Sequence, residues 1–272
     1  MENKDLQKIA DNIRKDIIKM AHVAGKKGSH VGGSLSMCEI LSVLYFSVMR
    51  INPSDLESPN RDRFILSKGH GAMALYAALK NLSILTDRDL LDFKQKGSDF
   101  WTHPRFLPSK GFEFASGSLG IGISLAAGTA LALKMKNSQS RVYAYIGDGE
   151  CDEGSVWEAA AFSSHHNLNN LTVIVDFNQI QLDGKTSDII NKDNLGDRWE
   201  AFGFKVIYAD GHDIASLKNA FSEVSSKPVA IIANTIKGKG ISFMENNPIY
   251  HMAAISEKDY LQAKQELEIE DD

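Results

Sequence analysis

The sequence has few cysteines and no long apolar run. The first argues against a disulfide-rich or zinc-binding protein, and the second against a membrane-spanning one. Only Cys38 and Cys151 occur in 272 residues, too far apart for a disulfide framework or for the ligand spacing of a zinc site. The longest apolar stretches, such as 41–49, are interrupted by serines, so none predicts a membrane span. Residues 1–20 are charged throughout and lack the apolar core of a signal peptide. These absences predict a cytoplasmic protein with reduced cysteines.

The chain also lacks a strong excess of either charge. It has 30 Lys and Arg against 35 Asp and Glu, a formal net charge of -5, and no basic cluster, which argues against nucleic-acid binding. With 43% hydrophobic residues it can bury a substantial core. No repeat, low-complexity segment or linker divides it. Residues 1–272 are therefore predicted to form a single domain with an N-terminal helical segment and a short acidic C-terminal tail.

Hydrophobic periodicity predicts an α/β fold. Amphipathic or buried helices are expected over 5–24, 36–49, 72–79 and 120–135, with a short strand at 64–66. From residue 141 onward, β-branched runs alternate with helical patterns, which predicts a parallel sheet with helices on both faces. The strands expected there are 141–146, 171–176, 204–208 and 229–234, and the helices are 155–168 and 214–224.

One stretch concentrates small and acidic residues. YIGDGECDEGSVWEAAAF, residues 145–162, places Gly147, Asp148 and Gly149 directly after a predicted strand. Taken alone, Gly-Asp-Gly is more often a tight turn than a binding site. In a parallel sheet, however, ligands bind at the carboxyl ends of the strands, where this stretch lies.

The next predicted strand ends just before Asn178. Because parallel strands joined by a crossover helix end at the same edge of the sheet, Asp148 and Asn178 are expected to face one crevice. A carboxylate, a carboxamide oxygen and a loop carbonyl are hard oxygen ligands, which favours Mg²⁺ or Ca²⁺ over zinc. So few protein ligands leave room for water and a phosphorylated ligand. Gly147 and Gly149 are expected to let the backbone turn sharply and approach that ligand.

The interval between Gly149 and Asn178 is 28 residues, 150–177, enough for one helical crossover and one strand. This pattern is similar to the thiamine diphosphate fingerprint, and the chain resembles the N-terminal, diphosphate-binding half of the transketolase family over about residues 5–252. The stretches that carry the resemblance are GSHVGGSLSMCEILSVLYF, NRDRFILSKGHGAM, WTHPR, FASGSLGIGISLAAGTALA, YIGDGECDEGSVWEAAAF, LTVIVDFNQIQLDG and IIANTIKGKGISFMENNPIYH.

The resemblance implies a site for thiamine diphosphate and Mg²⁺ (or Ca²⁺). By matching position, the implied metal ligands are Asp148, Asn178 and the main-chain carbonyl of Ile180. Gly147, Gly149 and Glu150 match the diphosphate loop. Further implied cofactor contacts come from the SGSLG segment, which matches the loop holding the aminopyrimidine, and from a lysine and two histidines: Gly117, Ser118, Leu119, Lys237, His70 and His251.

Histidines of the chain fall into two groups. Cleaving a ketose beside its carbonyl moves protons on and off substrate oxygens, which imidazole can do near neutral pH. The implied catalytic residues are the four that match the family's substrate channel: His30, His70, His103 and His251. The other four are interpreted as ordinary helix-end or turn residues: His22, His165, His166 and His212.

Two lysines and one cysteine near these motifs have competing interpretations. Lys68 and Lys237 match basic positions of the family, and each is either a diphosphate contact or a solvated surface lysine. Cys151 lies beside the site, but no base accompanies it in the local sequence, so it is interpreted as packing.

The resemblance also implies a partner chain. In transketolases the glutamate that activates the cofactor comes from the domain that follows, and no such domain occurs before Asp272. The chain is therefore expected to be the N-terminal subunit of a two-chain transketolase, completed by a C-terminal, pyrimidine-binding subunit in an α₂β₂ heterotetramer. Glu153 matches a family acid at the subunit contact, the alternative being a solvated glutamate. The implied reaction transfers a two-carbon ketol unit from a ketose or its phosphate to an aldose or its phosphate.

Two other functions stay open. The first is a related thiamine diphosphate subunit, of deoxyxylulose-phosphate synthase or 2-oxoacid decarboxylating type, although SKGH, THPR and SGSLG favour transketolase. The second is a non-catalytic chain that binds only cofactor or partner. Tyr250 stands where the family commonly has tryptophan and Met252 where it has glycine, which leaves the loop shape and the substrate open.

Overall fold

The computed structural model describes residues 1–182 and 184–270, so the last two residues of the predicted acidic tail lie outside the described residues. The strands are β1 Arg63–Leu66, β2 Val142–Gly147, β3 Leu171–Phe177, β4 Ile180–Gln181, β5 Gly184–Lys185, β6 Lys205–Asp210 and β7 Val229–Asn234. Five of them form one parallel sheet in the spatial order β1-β2-β3-β7-β6, and β4 pairs with β5 in an antiparallel hairpin.

The helices flank this sheet, as the predicted α/β fold requires. Those predicted from periodicity are confirmed to within a few residues, except that the helix expected over 36–49 is an α-helix over Cys38–Val43 followed by a π-helical turn over Leu44–Val48. The helices are α1 Asn3–Ala24, α2 Val31–Leu35, α3 Cys38–Val43, α4 Ala72–Asn81, α5 Asp87–Leu91, α6 Ile121–Met135, α7 Gly154–His165, α8 Thr186–Ile189, α9 Leu195–Ala201, α10 Ile214–Ser222 and α11 Glu257–Glu266.

Each face of the sheet has its own apolar core, because successive residues of a strand point to opposite faces. On β2, Tyr143 and Tyr145 belong to the core shared with α1, α3, α4 and α10, whereas Ala144 and Ile146 belong to the core shared with α6, α7 and α9. A strand buried on both faces needs an almost continuous apolar sequence, which is why these strands read as unbroken β-branched runs.

The register brings the carboxyl ends of four strands together. Leu66 of β1 pairs with Tyr145 of β2, and Gly147 of β2 pairs with Asp176 of β3. Phe177 of β3 pairs in turn with Asn234 of β7. The loops that leave these strands therefore meet at one edge of the sheet, where ligands bind in open parallel sheets.

Several helices of one or two turns are too short for hydrophobic periodicity to predict them. Two of the helices that periodicity did not predict, α5 and α11, still carry a local signal, because each begins with a capping box: Thr86 with Asp89 and Ser256 with Asp259. Among the described residues, no helix has both the length and the apolar character that crossing a membrane requires.

Candidate functional site

A cavity of about 270 Å³ opens at the carboxyl edge of the sheet. The structure brings most of the predicted site residues to its wall. Ser118 and Glu153 do not line it and are exposed. The predicted residues that do line it are His30, His70, His103, Gly117, Leu119, Gly147, Asp148, Gly149, Glu150, Asn178, Ile180, Lys237 and His251.

Asp148 lies at the tip of β2 and is 2% exposed. Its two carboxylate oxygens accept main-chain hydrogen bonds, from Gly149 N at 2.8 Å and from Gln179 N at 2.6 Å. Burial, with a smaller contribution from the nearby Asp176 carboxylate, raises the pKa of Asp148 to about 6. A buried carboxylate with a raised pKa is one that a bound cation would stabilise in its charged form.

Asn178 and Ile180 follow β3 and face the same cavity. The side-chain oxygen of Asn178 accepts a hydrogen bond from Ile180 N at 3.1 Å, which closes the turn between them. Gln179, at the centre of this turn, has a φ of 62°. The cavity thus presents carboxylate, carboxamide and carbonyl oxygens, a set that suits Mg²⁺ or Ca²⁺.

Glu150 is buried and holds three loops together. Its carboxylate accepts hydrogen bonds from Gly120 N at 2.8 Å, from Gly147 N at 3.0 Å and from Ser67 Oγ. These bonds join the ends of β1 and β2 to the start of α6. The carboxylate therefore shapes the wall of the cavity.

The backbone turns at Gly-Asp-Gly, from the end of β2 into a 3₁₀ helix over Gly149–Asp152. Neither Gly147 nor Gly149 has a positive φ, so the turn does not require the left-handed conformation that favours glycine. Gly149 is needed for space instead, because a Cβ there would lie 2.7 Å from Gln181 Cγ. The left-handed conformation occurs at Gly120, with a φ of 81°, where a Cβ would also lie 2.3 Å from Ser155 Oγ.

The four predicted histidines form one cluster. The ring centroid of His30 lies 5.5 Å from that of His70, 5.6 Å from that of His103 and 5.4 Å from that of His251. Burial, reinforced by neighbouring histidines and lysines, lowers the pKa of His30 to about 4 and that of His251 to about 3. Burial lowers the pKa of His70 and His103 as well. All four rings are therefore neutral near pH 7, and each can both donate and accept a hydrogen bond.

Lys68 lies under the cavity and is 1% exposed. Its ammonium forms an ion pair with Asp176 and donates to the carbonyl of Gly33 at 2.8 Å. Asp176 also accepts hydrogen bonds from Ser36 Oγ at 2.7 Å and from Thr235 Oγ1. Burial would raise the pKa of Asp176, but Lys68, with the hydrogen bonds from Thr235 and Ser36, outweighs burial and lowers it. The alternative of a solvated lysine is therefore wrong for Lys68.

Lys237 is 3% exposed, and its ammonium reaches the cavity from the loop after β7. It donates to the carbonyl of Ile180 at 3.0 Å and lies 2.9 Å from His251 Nδ1. Burial, with repulsion from Lys68, lowers the pKa of Lys237 to about 8. Lys237 is thus not a solvated lysine either, and it supplies positive charge beside the candidate metal ligands.

Two buried polar atoms at the cavity wall have no hydrogen-bond partner in the described part of the chain, which supports a polar ligand for the cavity. These atoms are His30 Nδ1 and Gln181 Oε1. Both residues line the cavity. Buried polar atoms are normally satisfied, so these two indicate that the cavity is built to receive polar groups.

Sequence reasoning missed Gln181 and the residues that anchor it. Gln181 Nε2 donates to Asp152 Oδ2 at 3.1 Å, and Asp152 forms an ion pair of 2.8 Å with the buried Lys192. The signal available in the sequence was its position, three residues after Asn178 in the same loop. Cys151, in contrast, is buried with a raised pKa, as expected for a packing residue.

Comparison with known proteins gives a consistent result. Residues 6–272 match the sequence model of a family described as transketolase, thiamine diphosphate binding domain. The chain is 42% identical to a 6-deoxy-6-sulfo-D-fructose transketolase subunit of Clostridium sp. (strain MSTE9), over 98% of this chain and 97% of that protein. It is 39% identical to an apulose-4-phosphate transketolase subunit of Actinobacillus succinogenes, over 91% of this chain and 90% of that protein.

A solved structure shares the same architecture. The transketolase of Campylobacter jejuni subsp. jejuni superposes with a TM-score of 0.90 at 32% identity, over 98% of this chain and 43% of that protein. The chain thus has about the length of the transketolase subunits it resembles and about two fifths of the length of this solved transketolase.

Proposed function

The chain belongs to the transketolase family, and from this premise we propose that it is the N-terminal subunit of a two-chain transketolase. The proposed reaction moves a two-carbon ketol unit from a ketose to an aldose. The observation that carries the proposal is the cavity at the carboxyl edge of the sheet, where Asp148, Asn178 and Lys237 face a cluster of histidines. This wall can hold a metal diphosphate beside groups that handle protons.

Thiamine diphosphate, when bound, supplies the electron sink for cleavage next to a carbonyl. The chain's part is to hold it. Asp148, Asn178 and the Ile180 carbonyl are proposed to bind Mg²⁺ (or Ca²⁺), and Lys237 to neutralise the diphosphate. The loop over 147–150 would border the diphosphate, and the 117–119 segment would lie against the aminopyrimidine, with Gly117 and Leu119 on the cavity wall.

The histidine cluster is proposed to act on the substrate. Neutral rings of His30, His70, His103 and His251 can hydrogen-bond the ketose carbonyl and hydroxyls and pass protons between them. Their low pKa values follow from burial and nearby lysines. A bound diphosphate places negative charge among those lysines, which shifts the imidazole pKa values back toward neutrality.

A second chain is proposed to complete the site. Two relatives are named as transketolase subunits, and a pyrimidine-binding partner in an α₂β₂ assembly would supply the activating carboxylate. Glu153 is exposed and free to meet that partner. We further propose a cytoplasmic location, which the scarcity of cysteine supports. The names of the relatives include a sulfonated ketose and a sugar phosphate, so we propose a donor ketose with an anionic end group.

The proposal is tested by assaying the chain with its pyrimidine-binding partner against a panel of ketose phosphates and sulfonated ketoses, with an aldose acceptor. The expected result is ketol transfer that depends on thiamine diphosphate and Mg²⁺. Pyruvate decarboxylation without ketol transfer would favour the related decarboxylating subunit. Cofactor binding with no turnover of any donor would favour a non-catalytic chain.

A further inference from the structure

The loop that carries Lys237 is fixed on both sides of this residue. We call residues 235–240 the Lys237 loop. Ile236 N donates a hydrogen bond of 2.8 Å to His212 Nε2, and the carbonyl of Lys239 accepts one of 3.0 Å from Arg14 Nε. Lys237, between these two anchors, points its ammonium into the cavity.

Both anchors converge on Glu39 of α3. One carboxylate oxygen accepts from Arg14 Nη2, and the other lies 2.9 Å from His212 Nδ1. The side chains of Arg14 and Glu39 are buried, with exposures of 5% and 4%, and that of His212 is mostly buried, at 13%. The chain Arg14–Glu39–His212 therefore connects α1, α3 and the turn after β6 to the Lys237 loop. A satisfied buried network of this kind is rigid.

The contacts of His212 define its tautomer. A main-chain N–H can only donate, so His212 Nε2 must carry a lone pair toward Ile236. The ring proton is then on Nδ1, where it is donated to Glu39. A carboxylate that fixes the tautomer and orientation of a histidine is a recurrent way of aiming that ring at a third group.

We propose that His212 is a positioning residue, which with Glu39 fixes Ile236 and thereby holds the ammonium of Lys237 at the Ile180 carbonyl and His251. His212 itself does not line the cavity, so it acts only through the loop. The consequence for cofactor affinity rests on the proposed function, whereas the anchoring of Ile236 does not.

The sequence interpretation of His212 as an ordinary turn residue is thus incomplete. The turn is real, because Asp213 caps α10 by accepting from Ala215 N and Ser216 N. The ring of His212, however, bridges two groups distant in sequence. A purely structural histidine would stabilise the fold without affecting the position of Lys237, and this difference can be measured.

The first experiment compares His212→Gln with His212→Phe in the full chain by amide hydrogen exchange. A glutamine carbonyl oxygen can replace Nε2 as acceptor, whereas phenylalanine offers none. We expect the Ile236 amide to exchange up to about tenfold faster in H212F, the factor of one typical net hydrogen bond, and to stay protected in H212Q. The amide of Ile231, inside β7, should change in neither. His165→Gln and His165→Phe, at an exposed histidine of α7, are the matched controls.

The second experiment is a double-mutant cycle with Lys237→Met, measured by calorimetric titration of thiamine diphosphate with Mg²⁺ into the chain and its pyrimidine-binding partner. Loss of a supporting contact of this kind weakens binding by about tenfold. H212F should therefore weaken binding by about that factor alone, but by less than about twofold when Lys237→Met is already present, because coupled residues are not additive. H212Q should bind nearly as the wild type does.

The two experiments distinguish a failure of the positioning role of His212 from a failure of the proposed function. Equal exchange of the Ile236 amide in H212Q and H212F, or additive losses in the cycle, would overturn the positioning role. If the wild-type chain and partner bind no thiamine diphosphate, the proposed function fails, and the exchange result still decides whether His212 anchors Ile236. A H212F variant too unstable to assay leaves the H212Q comparison, in which unprotected exchange at Ile236 would also overturn the proposal.

Discussion

At the residue scale, charged side chains are buried in the cavity wall and directly behind it. Asp148, Asp176, Lys68 and Lys237 are each less than 4% exposed, although charged groups are rarely buried without partners. Lys68 and Asp176 neutralise each other, whereas Asp148 has only main-chain donors and Lys237 only a carbonyl and a histidine ring among the described contacts. Asp148 and Lys237, which have no oppositely charged partner among the described contacts, are the residues proposed to bind a cation and a diphosphate, respectively.

Asp148→Asn is expected to remove metal-dependent cofactor binding. The substitution keeps the size of the side chain but removes the charge that would hold Mg²⁺. Calorimetric titration of thiamine diphosphate should show affinity reduced by at least about a hundredfold, or ~2.7 kcal/mol, and insensitive to EDTA. Asp197→Asn, at an exposed position of α9, is the charge-matched control. Unchanged Mg²⁺-dependent affinity in D148N would contradict the assignment of Asp148.

Lys68→Met is expected to destabilise the fold, because it leaves Asp176 buried without its counter-ion. Removing one partner of a buried pair typically costs about 3–5 kcal/mol. Urea denaturation of the chain without cofactor should show this loss in the free energy of unfolding, and Lys68→Met with Asp176→Asn should lose less than the sum of the two single variants. Lys258→Met, at an exposed position, should have little effect. Additive losses would show that the pair is not coupled.

At the scale of elements, the buried network that joins α1 and α3 to the Lys237 loop makes a pH-dependent contribution to the stability of the fold. Burial alone would raise the pKa of Glu39, but His212 and Arg14 outweigh it and lower it to about 2 from an ordinary value of 4.5. A carboxyl with a lowered folded-state pKa stabilises the fold above its unfolded pKa. This contribution is lost as the pH falls from 4.5 through 2.

Glu39→Gln should therefore lose stability in a pH-dependent way. Near neutral pH, the unfolding free energy of the wild type is expected to exceed that of E39Q by its largest amount. This difference should decrease as the pH falls below 4.5 and be smallest below pH 2. Urea denaturation across this range measures it. Glu158→Gln, at an exposed position of α7, should show no comparable change. A difference between wild type and E39Q that is constant across the range would contradict the lowered pKa.

Helices and strands with a clear hydrophobic period could be predicted from the sequence, whereas contacts between residues far apart in the sequence could not. The run over 229–234 predicts β7 because a strand buried on both faces must be apolar throughout. The Gly-Asp-Gly and Asn178 signals also placed Asp148 and Asn178 at one edge. The role of His212 could not be predicted, since its partner Glu39 lies 173 residues away. Only the three-dimensional fold brings these two residues together.

At the scale of the whole molecule, the prediction that 1–272 is a single domain implies one cooperative unfolding transition. Differential scanning calorimetry of the chain should give one peak, with a calorimetric enthalpy equal to the van't Hoff enthalpy. Two resolved transitions, or a protease-resistant fragment much shorter than the chain, would contradict a single domain.

The central claim is that this chain forms half of a transketolase active site, and its most direct test is a mixing experiment. Ketol transfer from an anionic ketose to an aldose is measured for the chain alone, for its pyrimidine-binding partner alone and for mixtures, with thiamine diphosphate and Mg²⁺ present. We predict no transfer by either chain alone, and activity in the mixture that saturates at equal amounts of the two chains. Ketol transfer by the chain alone, or none at any ratio despite complex formation, would contradict the claim.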